Sequence, residues 1–360
     1  MSFLFPPLYF RYLSKLYLKN LLAILFGLSF AFASIDYFQN AQKLDVASNY
    51  KILYIFYMWQ EAIGLLYPLA IVFALIMTKI TLVKNNTMGA LHAFGYNKKR
   101  LLLPLLTVST LTYVIFILLH TTEFSYAKDK AQFLLKDELS AYDVNDLFFK
   151  YNDTFVYIDK LDPIEKKIQN ITIFKVEGDQ VRYTIKAPIA LFDGEKWIAH
   201  DAALKTHIYK NNELQRYSIE HKETIETLDG YKPKIIESLY VGRSMNIIDG
   251  YNTLKLLDRQ HLNSDTIRAA MYDKVLVPLF ALALVLILFF KLPFHARMMN
   301  LGGVVALSLA GTFVIWGVLF GLGRMSENGV LLPEFGALLP IVLLWGYTLY
   351  VYFTDEKKIG

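Results

Sequence analysis

Two apolar runs, Ala62–Val83 and Leu101–Leu119, stand on either side of a short basic stretch, Lys84 to Arg100, with the sequence KNNTMGALHAFGYNKKR. No other feature constrains the fold so tightly. About 20 apolar residues cross the hydrocarbon core of a bilayer, and each run has roughly that length. The stretch between them therefore lies at a membrane surface. Lys84, Lys98, Lys99 and Arg100 put that surface on the cytoplasmic side, where the Lys and Arg of short loops collect.

The stretch is more than a loop. Met88, Leu91, Ala93 and Phe94 fall close to a helical period, and Gly95 follows where a helix commonly ends on a left-handed glycine. The expectation is a short amphipathic helix within residues 84–97, with Lys84, Met88, Leu91, His92, Phe94 and Gly95 as its functional candidates. Such a helix either lies on the lipid surface or docks into a cytoplasmic motor subunit.

Four further apolar runs complete the membrane part: about Leu16–Tyr37, Val275–Phe290, Leu301–Leu322 and Phe335–Phe353. The first follows Arg11, Lys15 and Lys19. Ala31-Phe32-Ala33 resembles a signal-peptidase site, so a cleaved leader competes with a retained span. A polar loop is expected over about Gln39–Glu61, with boundary aromatics Tyr54, Phe56, Tyr57 and Trp59. Pro68 kinks the second span, and Lys79 near its inner end can snorkel to the headgroups. Lys291, His295 and Arg297 mark the link after the fourth run as cytoplasmic, and Lys357-Lys358 place the C-terminus inside.

Between the third and fourth runs lies a polar insert. Residues 121–272 carry 21 Lys/Arg against 24 Asp/Glu, so the chain's net charge of +5 belongs to the membrane part. A polar domain without net basic charge argues against nucleic acid. A helix is expected over Glu123–Tyr142, with Ala127, Ala131, Leu134 and Leu135 on one side. The period then changes to two at 154–158, 170–176, 181–186 and 204–209, with turn signals at Asn152-Asp153, Glu177-Gly178-Asp179, Asp193-Gly194 and Asn211-Asn212. This pattern predicts an all-β sandwich, barrel or jelly roll. Phe155, Tyr157, Ile173, Tyr183 and Trp197 are expected in its interior, as a closed core or as an open apolar groove. Two helices, about Ile247–Arg259 and Asp265–Asp273, lead back to the membrane. The expected organisation is three spans (1–122), a β domain with flanking helices (123–272) and three spans (273–360).

The chain contains no cysteine, no Walker A sequence, no HExxH and no GxSxG, so no catalytic site, resident metal or cofactor is expected. Asp36 and Lys43 sit at the outer end of the first span, as plain boundary residues or as headgroup contacts. Gly317 and Gly321 form a small-xxx-small pair in the fifth span, packing within the chain or against a partner.

Several motifs carry a resemblance. Arg11-Tyr12-Leu13, Tyr67-Pro68-Leu69-Ala70, the stretch from Ala90 to Asn97 with Arg100 and Pro104, Glu123, and Gly329 to Pro333 with Pro340 occur in the order and topology of the lipopolysaccharide-export permease family, LptF and LptG. The chain resembles that family over nearly its whole length, and its first span aligns without gaps better to LptG. It departs at Asn86-Thr87, where the family usually has Ser-Glu, at His92, often Arg, and at Asp36, often basic. Lys43 is then the remaining basic candidate at the outer end.

The resemblance implies six transmembrane helices with a periplasmic jelly-roll-like domain, in the bacterial inner membrane. It implies pairing with an LptF-type paralogue on an LptB-type ATPase dimer, which binds the ATP and is contacted through the 84–97 helix. Lipopolysaccharide would enter between the first and fifth spans of opposing subunits, rise into the β domains and pass to LptC and a periplasmic LptA-type bridge. The alternatives are the LptF position in the same complex, or an ABC permease of another class that transmits force to the periplasm without moving lipid. The latter usually has four spans with its large domain after the first, unlike this 3+3 layout. A secondary transporter would place ionisable residues at span centres, which are nearly free of them here. A scaffold or receptor would need a cytoplasmic effector domain.

Overall fold

The computed structural model describes residues 7–357 apart from 43, 45–46, 136–143, 152, 164, 178–179, 211–212, 234–235, 237–243, 260–262 and 295–299. Lys43, His295, Arg297, Lys358, the end of the 123–142 helix and most residues of three turn signals lie outside the described residues. The chain divides into two compact units, 1–131 with 268–360, and 132–267.

The first unit is helical. Its elements are α1 (Leu8–Asn40), α2 (Ser48–Lys84), α3 (Thr87–Ala93), α4 (Lys98–Leu119), and the start of α5 (Ala127–Leu135) after a 3₁₀ turn at Glu123–Tyr126. After the insert come α7 (Asp265–Val275), α8 (Leu279–Lys291), α9 (Leu301–Glu327), a π-helical turn at Glu334–Leu338, and α10 (Leu339–Lys357). Among the described residues six helical segments are long and apolar enough to cross a membrane, and α7 with α8 counts as one of them.

The expected loop over 39–61 is mostly helix. Tyr54, Met58 and Ala62 are buried at four-residue spacing, which draws the start of α2 against its neighbour and leaves only 41–47 as the connection. With 37 residues, α2 is about 55 Å long at 1.5 Å per residue, well beyond a hydrocarbon core of about 30 Å.

Helix α1 buries Leu13, Tyr17, Leu21, Leu25, Ser29 and Ala33, every fourth residue, along one ridge. Ridges of this spacing pack into the grooves of a neighbouring helix. Polar side chains tie the pair together. The Tyr17 hydroxyl donates to the Ile71 carbonyl at 2.8 Å and lies 2.8 Å from Ser109 Oγ of α4. Asn20 Nδ2 donates to Thr78 Oγ1 at 2.8 Å, and Trp59 Nε1 to Ser29 Oγ at 2.9 Å. In a membrane each such bond contributes about 0.6 kcal/mol. From Tyr67 to Ile76 every residue of α2 is buried, as befits a helix that is apolar all round and sits at the centre of the bundle.

Helices α9 and α10 are joined by a close approach. A Cβ on Gly336 would fall 1.9 Å from Ser326 Oγ and 2.9 Å from the Leu322 carbonyl oxygen. The Ser326 hydroxyl can turn away, but backbone cannot. Arg268 of α7 makes an ion pair with Glu334 beside this contact. Gly336→Ala is therefore expected to destabilise the chain by about 1–3 kcal/mol, the usual cost of overpacking. The midpoint of thermal aggregation in detergent measures it, and an unshifted midpoint would refute the contact.

The second unit holds β1 (Val144–Tyr151), β2 (Thr154–Asp162), β3 (Lys167–Glu177), β4 (Gln180–Phe192), β5 (Trp197–Lys210) and β6 (Glu213–Thr227), followed by α6 (Ile247–Arg259). The strands form one antiparallel sheet in sequential order. The expected β insert is present, and its described pairings run as a meander. Strands β1 and β6 were not expected.

A line of interrupted pairing crosses the sheet at Asp146, Asp159, Asn170, Pro188, Asp201 and Glu223. Asp146, Asn170 and Asp201 have φ near +55°, a left-handed conformation that Asn and Asp tolerate better than other side chains. Alternation changes phase there: Ile158 and Leu161, Ile168 and Ile171, Ala187 and Ala190, and Ala199 and Ala202 are all buried. Both sides of the line thus feed one core, and along the line the Asn170 amide links β3 to β2 on the exposed side by donating to Asp159 at 2.9 Å.

That core corrects part of the expected interior. Ile173 and Trp197 belong to it. Phe155 and Tyr157 do not: on β2 the inward residues are Val156 and Ile158, and neighbours along a strand face opposite sides. Phe155 lies outside between Phe148 and Phe174, with ring centroids 5.8 and 5.9 Å away. The Tyr157 hydroxyl donates to Asp146 at 2.6 Å. Tyr183 shares the inward parity of Ile185 but remains part-exposed near the β3–β4 turn, outside the cluster.

Candidate coupling site at the basic end of the bundle

Helix α3 has seven residues and follows Asn86, which takes a left-handed φ of 55°. It ends in a Schellman arrangement: Gly95 N–H donates to the His92 carbonyl at 3.0 Å and Tyr96 N–H to the Leu91 carbonyl at 3.2 Å. Gly95 has φ +84°, the conformation this motif needs and glycine adopts without strain. The chain then turns at once into α4, where Asn97 caps the new helix by accepting from Arg100 N–H at 2.9 Å.

The candidates on this stretch divide by direction. Met88 is 1% exposed and joins the core of the bundle, with Leu91 packed against it. These two root the helix. His92, Ala93 and Phe94 face outward, and Phe94 is 81% exposed. Lys84 closes α2 rather than belonging to α3, and it is exposed. His92 Nδ1 lies 2.7 Å from the Tyr96 carbonyl oxygen. Tyr96 packs on Tyr9 of α1, ring centroids 4.4 Å apart. A short helix with an apolar root, a rigid end and an exposed aromatic is suited to receive a push from outside the membrane and pass it into α2 and α4.

At the opposite end, Asp36 accepts hydrogen bonds from the Tyr54 hydroxyl and from Asn40 Nδ2. The bond from Tyr54 holds α1 to α2, so Asp36 is a clamp within the chain. Among the described residues nothing outside the helix itself lies within 4 Å of where a Cβ on Gly317 or Gly321 would stand, and only 11% of the apolar stretch of α9 is buried against 61% of that of α2. The glycine face is open to lipid or to another chain. The structure brings neither glycine to Asp36.

A family model, lipopolysaccharide export system permease LptF/LptG, matches residues 11–353. The chain belongs to the LptF/LptG permease family. It is a multi-pass membrane protein of lipopolysaccharide export, with six spans and an inserted β domain. Comparison with the curated proteins found no match. In this LptF/LptG chain the first turn of α3 has no acidic residue, because Asn86-Thr87 stand at its start.

Sequence reasoning missed three features. Phe294 reaches α3, its ring 6.4 Å from that of His92, and Lys79 is buried instead of reaching the headgroups. Glu61, Asp273 and Lys274 also form a charged group within electrostatic reach of Arg324 and Glu327, at the end of the bundle away from α3. Burying such charges is costly unless they compensate one another. The only available signal was their lying just outside the apolar runs.

Proposed function

We propose that this chain is one of two permease subunits of an ATP-driven export complex that lifts lipopolysaccharide from the outer leaflet of the bacterial inner membrane. Its termini and α3 face the cytoplasm and its β domain the periplasm. A dimeric LptB-type ATPase binds and hydrolyses the ATP, while this chain does no chemistry. The observation that carries the reading is α3: a helix rooted by Met88, stiffened at Gly95, exposing Phe94 at the basic end of a chain matched to the family over 11–353.

In this mechanism the ATPase moves α3, and the stroke narrows a lateral gate between α1 of one permease and α9 of the other. The open Gly317–Gly321 face lets two helices approach closely and slide. Each CH₂ brought into water costs about 0.8 kcal/mol, so acyl chains need a shielded route. The β domain supplies it and passes the lipid to LptC and an LptA-type bridge. This chain takes the LptG position beside an LptF-type paralogue, as the ungapped first span favours. Lys43 is the basic headgroup candidate at the gate, since Asp36 is held by Tyr54.

The test is recovery of the tagged chain from its native membrane in mild detergent, with mass spectrometry of proteins and lipids. A small ABC ATPase, a second six-span relative and lipid A are the expected companions. Recovery without an ATPase at any detergent strength would overturn the reading.

A further inference from the structure

Lys79 stands five residues before the end of α2, yet it is only 1% exposed. Its ammonium donates to the carbonyl oxygens of Phe289 and, at 2.7 Å, Leu292. These belong to the last turn and C-cap of α8, whose final carbonyls have no partner within the helix. A cation is favourable at that end of the helix dipole. The charge also lies 4.7 Å from the centre of the Phe289 ring and 4.0 Å from that of Phe294.

Phe294 is the second half of the arrangement. Besides Lys79 it meets the His92 ring of α3 at 6.4 Å and Lys98 Nζ of α4 at 5.0 Å. One aromatic ring thus touches α3, the start of α4, and the lysine that joins α2 to α8. A simple helix cap needs no fully buried charge and no contact with α3. An ionisable residue buried within a span is costly to keep, and that cost points to function.

We propose that Lys79 is a positioning residue for export: with Phe294 it makes the inner end of α8 move as one body with α2 and α3. A displacement of α3 then reaches α8, and through α7 the chain that leads to the β domain. This rests on the proposed function.

The experiment reconstitutes the whole complex in proteoliposomes and measures lipopolysaccharide delivered per ATP hydrolysed. Lys79→Met keeps all but the last atom of the side chain's length and removes its donors. Its complex is expected to hydrolyse ATP while delivery per ATP falls about five-fold, within the range that residues along a coupling route control. Lys79→Arg, which keeps charge and donors, is expected to restore most of the ratio. Phe294→Leu removes the ring contacts but leaves the carbonyls capped, and a similar fall is expected. It also serves as the deciding variant should Lys79→Met fail to assemble. An unchanged ratio in Lys79→Met, or in Phe294→Leu where that variant decides, overturns the role of Lys79. A wild-type chain that recruits no ATPase instead overturns the proposed function, before any variant is compared.

Discussion

Phe94→Asp is expected to abolish recovery of the ATPase with this permease, and ATP-driven export with it. Phe94 sits at the end of α3 with 81% of its surface exposed, beside the glycine that fixes the direction of the turn. An exposed aromatic held on a rigid end is the kind of side chain that anchors an interface, and losing such an anchor costs about 2 kcal/mol or more. That corresponds to a loss of affinity of about 30-fold, and the Asp carboxylate adds a desolvation cost. The bundle itself should be unaffected, because the core under α3 is made by Met88 and Leu91. Co-purification measures the first effect and lipopolysaccharide release from proteoliposomes the second. Undiminished ATPase recovery and export would sink α3 as the coupling element.

Trp197→Ala is expected to unfold the β domain at physiological temperature, whereas Phe155→Ala is tolerated. Trp197 is 0% exposed. It packs on Phe192 with ring centroids 5.4 Å apart, and its indole N–H donates to the Tyr231 carbonyl at 2.6 Å. That bond ties the segment after β6 to the start of β5. Removing a buried Trp costs about 3–5 kcal/mol through lost transfer energy and the cavity left behind. Domains have only about 5–15 kcal/mol to lose, and here the Tyr231 carbonyl also loses its donor. Phe155 stacks on the outside of the sheet, so its truncation removes surface contacts of about 1 kcal/mol. Pulse proteolysis of the purified chain separates the two: cleavage within 132–267 should rise sharply for Trp197→Ala alone. Equal sensitivity would mean that the faces of β2 are assigned the wrong way round.

The contrast between these residues shows where sequence reasoning stopped. Ile173 was recognisable as an interior residue because a large apolar side chain on an alternating strand points inward, while Trp197, outside the expected strands, was placed inside as a large apolar residue of the β domain. The same argument put Phe155 and Tyr157 inside, since aromatics compete with their β-branched neighbours for that face. Val156 and Ile158 took it. A strand of alternating apolar residues on both faces carries no internal mark of which face is buried, and a one-residue slip exchanges them. The phase changes along the line through Asp146, Asn170 and Asp201 add to the difficulty, because strict period-two counting fails wherever a left-handed residue interrupts a strand.

The membrane part followed different logic. Length and composition were enough for six spans, because a bilayer imposes a minimum apolar run whatever the tertiary contacts. The basic stretch predicted α3 and its stop at Gly95, both local in origin: the period of Met88 and Leu91, and a left-handed turn that glycine adopts freely. Local chemistry could not show that Met88 roots the helix while Phe94 is presented, or that Asp36 is held by Tyr54. Nor could it show that Lys79 turns inward to the end of α8 rather than out to the headgroups. Those outcomes depend on partners 18 and more than 200 residues away in the chain. By itself the sequence determined the six apolar spans, the presence of a β insert between the third and the fourth, and where α3 stops, since each answers to solvent or to backbone geometry within a few residues. Tertiary structure alone decided which face of each element is buried and which charges find partners, because both depend on the elements packed against them.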